Sequence, residues 1–459
     1  MSLRTYLFVA FSFAVALPAA AQSPPDSVRR AADTLSLDSL AARLARAEAA
    51  IAILRQQIAD EAESGVQTRS RFHLELSAQI LTNAFVTTGR VNNTDVPQTA
   101  LVPAAPGGAP PRNGAFGVTL RQTRVGAATS IDNVAGATFA GDIDVDFFGG
   151  VQTSAGDRRL FPEPRMRTAR ARLIWPKTEV MVGSDTPLIS DVNPLSLASV
   201  GIPDFSGAGN LWNWLGQVRI TQTIGSLGTG AGRIQWAVQG AIMTPFAAQI
   251  APGEPDLVDA GARSTRPAFE ARLRTRWGGD GSGGAATVSE AQIGRGGGEI
   301  GIGMHRGWVA TSTGVLKESH ALSVDGHFVV APKIELRGEG YAGRLLRGLG
   351  GGAIGQNFGT AAPGSPLNAL GAPIRDAAGW AQLNAQPFSA LIAGIGCGVD
   401  VTNSDDAATR LQNTACAVHA DWRPVQPLLL GIEYRQIGTR YSTGTFGAHH
   451  LNFIFGFEL

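Results

Sequence analysis

The sequence predicts an all-β protein, a transmembrane antiparallel β-barrel of about 16 strands, preceded by a short α-helical coiled coil. Three observations point there. From Arg71 onward, short segments alternate apolar and polar residues, the period of strands with two different faces. The last eleven residues, His449 to Leu459 (HHLNFIFGFEL), place Leu451, Phe453, Phe455, Phe457 and Leu459 on one face, and nothing polar caps it. The chain is 44% hydrophobic and 16% charged with a mean hydropathy of +0.04. Yet beyond its start no run approaches the ~18 apolar residues a membrane helix needs. A formal charge of +1 argues against a nucleic-acid partner.

Residues 1–21 read as a secretory signal peptide: a basic start at Arg4, an apolar run from Tyr6 to Leu17, then Ala19-Ala20-Ala21 before Gln22. Residues 22–66 form the next region. A Pro- and charge-rich linker, Ser23 to Asp33, leads into Leu37, Leu40, Leu44, Ala47, Ile51, Leu54 and Ile58, whose alternating spacings of three and four make the seam of a coiled coil. One amphipathic helix packed on its own subunit is the alternative. A helix this short is marginal alone, so association with copies of itself is expected, in the periplasm. Gly65 ends it.

Residues 67–459 are assigned to the barrel. Sixteen strands are expected near 71–88, 118–131, 137–148, 165–175, 178–185, 213–224, 232–243, 267–277, 299–311, 318–330, 333–344, 379–385, 388–401, 414–424, 427–440 and 448–459. Membrane barrels have short turns at one rim and long loops at the other. Counting back from Leu459, the short turns include residues 132–136, Pro176-Lys177, Ala331-Pro332 and Val425-Gln426, and the long loops include 88–117, 186–212, 244–266 and 345–378. The Gly-rich stretch 278–298 breaks the pattern, a long connection that the count places at the short-turn rim.

Alternation also sorts lipid from lumen. In Gly141 to Phe147, Ile143, Val145 and Phe147 share one face and Asp142, Asp144 and Asp146 the other; three carboxylates cannot face hydrocarbon, so they face an aqueous interior. Similarly, Phe269, Ala271, Leu273 and Trp277 point outward while Glu270, Arg272, Arg274 and Arg276 point inward. A soluble sandwich would bury bulkier faces than these, in which Ala and Gly are frequent. Trp175, Trp277, Trp308, Trp380 and Trp422 fall near strand ends, where an aromatic girdle belongs.

The chain's ending resembles the assembly signal of bacterial outer-membrane barrels. The stretches RQTRVGAATS (121–130), GDIDVDFFGG (141–150), RTARARLIW (167–175), VMVGSDTPLIS (180–190) and PDFSGAGNLWNWLGQVRIT (203–221) resemble the DcaP-like porins and the related phosphate-selective porins O and P. The resemblance covers nearly the whole mature chain. The Gly-rich 278–298 insert and a terminal Leu in place of Phe depart from it. It implies a homotrimeric diffusion channel in outer-membrane lipid, with the third external loop, 185–212, folded inward as a constriction carrying Asp185, Asp191 and Asp204.

An enzyme is not expected: the seven His are dispersed and no G-x-S-x-G stretch occurs. His449 and His450 point to opposite faces of one strand, so no metal is proposed, and no cofactor. What the lumen offers is arginine. Arg170, Arg172, Arg219, Arg272, Arg274 and Arg276 lie inside by parity, and Arg121 joins them from the second strand; about half are expected to pair with Asp142, Asp144, Asp146 or Glu270. The remainder suit small anionic solutes, carboxylates or phosphate, because guanidinium binds both in bidentate fashion. A sugar channel would want lumen aromatics, and here most aromatics point outward. The function expected is an anion-preferring porin; a barrel enzyme or a structural or adhesive barrel are the rival classes. Finally, Cys397 and Cys416 are expected to form a disulfide, since a hairpin centred between Asp406 and Ala407 sets them opposite each other on the outward face.

Overall fold

The computed structural model describes residues 65–67, 73–103, 113–149, 162–250, 258–278, 297–311, 313–365 and 369–459. The chain divides into Met1–Gln67 and Thr68–Leu459. The signal peptide and the coiled-coil seam lie outside the described residues. In the second unit 16 antiparallel strands close into a barrel. They are β1 (His73–Thr87), β2 in two pieces (Ala115–Thr119 and Arg124–Val134), β3 (Ala137–Asp146), β4 (Arg165–Ile174), β5 (Thr178–Asp185), β6 (Leu215–Leu227), β7 (Ile234–Met243) and β8 (Ala268–Trp277). Then follow β9 (Gly298–Ala310), β10 (Leu316–Ala331), β11 (Ile334–Arg344), β12 (Arg375–Phe388), β13 (Leu391–Thr402), β14 (Arg410–Trp422), β15 (Leu428–Tyr441) and β16 (Gly444–Glu458). Each matches a predicted span in order. Both pieces of β2 pair with β1, so they are one strand interrupted at 120–123.

Closure joins the last strand to the first, with His450 opposite Thr87 and Glu458 opposite Gln79. No sheet edge is left to present unpaired amides to lipid. The outward face of β16 is as apolar as its sequence suggests: Phe455 is 56% and Leu459 73% exposed. Trp277 stands opposite Gly298, so the long 278–298 connection does leave from the short-turn rim and the strand count holds. Among the described residues no helix is long and apolar enough to cross a membrane.

Cys397 and Cys416 are direct register partners joined by a disulfide. One girdle assignment is corrected: Trp380 points inward, 4% exposed, stacked on Phe205 at 5.7 Å between ring centroids and donating its indole N–H to Glu339 at 3.1 Å. Its neighbours Gly379 and Ala381 take the outward positions, so parity, rather than nearness to a strand end, decides its face.

Candidate functional site

The loop between β5 and β6, residues 186–214, folds into the barrel. Besides bonds within itself, it takes hydrogen-bond partners from the inward side of the wall, and it uses many strands. Ile189 N–H donates to Glu270 on β8 at 2.9 Å, and Leu195 exchanges two bonds with Gln382 on β12, 2.8 and 2.9 Å. Ser196 donates to Glu433 on β15 at 2.5 Å, and Gln122, in the break of β2, clasps Ala198 O and Gly201 N at 2.8 and 2.7 Å. The chain then returns. Asp204 pairs with Arg435, Gly207 O accepts from Asn413 at 2.8 Å, and Leu211 N–H donates to Glu339 at 3.2 Å. Leu195, Leu197 and Ala198 pack on Leu81, Leu429 and Ile454 of the wall. Wall glycines admit this loop: a Cβ on Gly303 would sit 2.4 Å from Ile189 O. Loop residues 192 and 194–212 are buried throughout, so the loop fills the interior against β9–β16.

The opposite wall, β3 to β8, keeps the partly exposed inward arginines Arg170, Arg172, Arg274 and Arg276, with Arg219 and Arg272 buried beside them. Arg170 and Arg172 both bind Asp142, at 2.8 and 3.1 Å, and Asp185 bridges Arg170 and Arg219 at 3.4 and 3.3 Å. Arg272 is fully buried between Asp325 and Glu299, and a Cβ at Gly301 would lie 2.0 Å from its guanidinium carbon, so glycine makes its berth. Arg276 pairs with the other oxygen of Glu299. Arg274, half-buried, has no ion-pair partner among the described residues. Facing this wall from the loop is Asp191. Its N–H donates to Asp325 at 3.3 Å and its carboxylate accepts from Thr186 at 3.2 Å. Burial alone would raise its pKa, but Arg219, Arg272, Arg274 and Arg276 outweigh it and hold the carboxyl below its ordinary value.

No family model and no curated protein sequence matches the chain. Solved structures do. The barrel superposes on the outer-membrane channel DcaP of Acinetobacter baumannii with a TM-score of 0.61 at 15% identity, covering 86% of this chain and 100% of that one. On the anion-selective porin from Comamonas acidovorans the TM-score is 0.50 at 9% identity, covering 84% and 99%. The barrel has the porin fold. At these identities the likeness is one of fold.

Within that porin barrel the predicted site residues divide. Arg170, Arg172, Arg219, Arg272, Arg274 and Arg276 come together with Asp185 and Asp191. Arg121 does not: it lies in the break of β2, pairs with loop residue Asp95 at 2.9 Å and stacks on Phe148, because the interrupted strand releases it from the lumen alternation. Asp204 also lies elsewhere, on Arg435, because the returning limb of the loop crosses β15. Six of the seven arginines are paired rather than half. Of the expected partners only Asp142 binds them; Asp144 and Asp146 are taken by Arg124 and Arg165, and Glu270 by His305. The partners missed were Asp95, on Arg121, and in the lumen cluster Asp325 and Glu299. Asp325 and Glu299 are inward by alternation on β10 and β9, but nothing local says which arginine they meet.

Proposed function

We propose that this barrel is an outer-membrane porin through which small hydrophilic solutes diffuse, anions in preference to cations. The observation that carries the reading is the wall beside the inward loop. There six guanidiniums, Arg170, Arg172, Arg219, Arg272, Arg274 and Arg276, stand among five carboxylates, Asp142, Asp185, Asp191, Glu299 and Asp325, and Arg274, with no ion-pair partner among the described residues, is the one offered to a passing anion. Guanidinium meets carboxylate or phosphate with two parallel N–H donors and stays charged, while neighbouring acids keep any one bond weak enough to release. The fold, an apolar outward face and the loop's long buried course all support a narrow passage in an outer membrane. Reversal potential across a planar bilayer in a salt gradient tests it. The sign expected is that of anion preference. Cation preference sinks the selectivity, and folded protein that never conducts sinks the channel itself in favour of a sealed barrel.

A further inference from the structure

A second loop reaches into the barrel and lies on the first. After β11 the chain runs through Leu346 and Leu349, both buried, which pack with Leu188, Ile189 and Leu211 of the inward loop. The carbonyls of Gly348 and Leu349 accept the side-chain and backbone N–H of Asn213, at 3.1 and 3.0 Å. At Gly350 and Gly351 the approach is closer still: a Cβ on Gly350 would stand 2.7 Å from Asn213 N, and one on Gly351 2.9 Å from Asn210 O and 3.0 Å from Gly207 N. Backbone therefore rests on backbone over residues 207–213, a contact that side chains would prevent.

What holds this strap down comes from the wall. In Gly350–Gly355, φ is 107° at Gly350, 49° at Ala353, 56° at Ile354 and 72° at Gly355. Two successive residues with side chains in the left-handed region, one of them β-branched, are strained, and such a turn persists only where its surroundings impose it. Here they do. The N–H of Ala353 donates to Asp376 on β12 at 2.7 Å, and that of Ile354 to Asp400 on β13 at 2.9 Å. Both carboxylates lie on the inward face, Asp376 opposite Thr402 and Asp400 opposite Ala378. Ala378 is small enough for Tyr341 of β11 to reach across it and donate its hydroxyl to Asp400 at 3.3 Å. Neither acid pairs with a cationic side chain among the described residues, so their hold is on the turn. From β14, Arg410 donates to Ile354 O and Gly355 O at 3.0 and 3.3 Å and closes the other side.

Given the porin reading above, we propose that the turn 350–355 is the latch of the inward loop, and that Asp376 and Asp400 are positioning residues that set how far residues 207–213 lift and so how wide the passage stands. The returning limb needs such a latch. Leu211 reaches the wall with a 3.2 Å bond to Glu339, and Asn213, two residues on, is held by the strap instead. A strained turn gripped by two acceptors has two settings, seated while both bonds last and relaxed once they are lost, which makes the loop beneath it a two-position element.

Hydrogen exchange and single-channel recording of the full folded chain test this together. Asp376→Ala with Asp400→Ala leaves two buried amides without acceptors, so exchange at residues 207–213 and the frequency of steps between conductance levels should both rise roughly tenfold. Asp376→Asn with Asp400→Asn keeps an acceptor oxygen at each place and should restore most of the hold. Ala353→Gly removes strain from the seated turn and should lower both readings about threefold. Glu318→Gln, on the outer rim, should change neither. A merely structural role would not give the Ala pair and Ala353→Gly opposite signs on a loop that neither side chain forms part of. Unchanged exchange at residues 207–213 in the Ala pair, or the same sign in both variants, overturns the proposal. If the Ala pair does not fold, Ala353→Gly decides, and no fall in its exchange overturns the latch. Exchange that responds as stated in a barrel that passes no ions counts against the porin reading and for the latch.

Discussion

If the arginine wall sets selectivity, two single substitutions of opposite sign should move it in opposite directions. Arg274→Gln removes the guanidinium that has no ion pair among the described residues, and Asp191→Asn removes the loop carboxylate set among four arginines. Neither should unfold the protein: Arg274 makes no hydrogen bond or ion pair among the described residues, and Asn keeps an oxygen for the 3.2 Å bond from Thr186. Each changes the local charge by one. For an ion passing at about 6 Å, Coulomb's law in a water-like dielectric gives ~0.7 kcal/mol, or about 0.4 after screening at ~0.1 M salt. That enriches one ion sign and depletes the other by roughly two- to threefold each, so the permeability ratio should change about four- to tenfold. Arg274→Gln should move the reversal potential toward cations, Asp191→Asn toward anions, and the double variant should return near wild type. Acid supplies a third arm. Because the carboxyl of Asp191 titrates below its ordinary value of 3.8, its attraction to the arginines is intact above that pH. It is lost only as pH falls through the lowered value, so protonation of Asp191 should add anion preference only there. Shifts of the same sign in both single variants, or none in either, would falsify the electrostatic reading and leave the arginines a structural role.

Three further outcomes follow from other parts of the molecule. A non-reduced digest should contain one peptide pair joining Cys397 to Cys416, and replacing both with Ser should lower stability by at most ~3 kcal/mol, the chain-entropy value for a separation of 19 residues; free thiols at both positions would refute the bond. Arg435→Met leaves Asp204 and Glu433 buried without their cation, a local cost of about 3–5 kcal/mol, and should release the inward loop; unchanged conductance and protease resistance would show that the loop is held by other bonds. Crosslinking of the full chain in membranes should give trimers, fewer when residues 37–58 are deleted, whereas monomers alone would remove both the oligomer and the helical bundle.

The strand number, the face of nearly every strand residue and the Cys397–Cys416 register were all readable from the chain, because each depends on a two-residue period and on hairpins that join neighbours. Trp380 shows the limit of reading by position along a strand, since the alternation of its own segment already turns it inward. The pairing of the arginines is of another kind. Arg272 meets Asp325 across 53 residues, and Arg435 meets Asp204 across 231. Closing the barrel and threading residues 186–214 across its interior brings these charges together, and no local period records which of them will be neighbours. That is why inward arginines could be listed from the sequence, while which of them, Arg274, has no ion pair among the described residues emerged only from the tertiary arrangement.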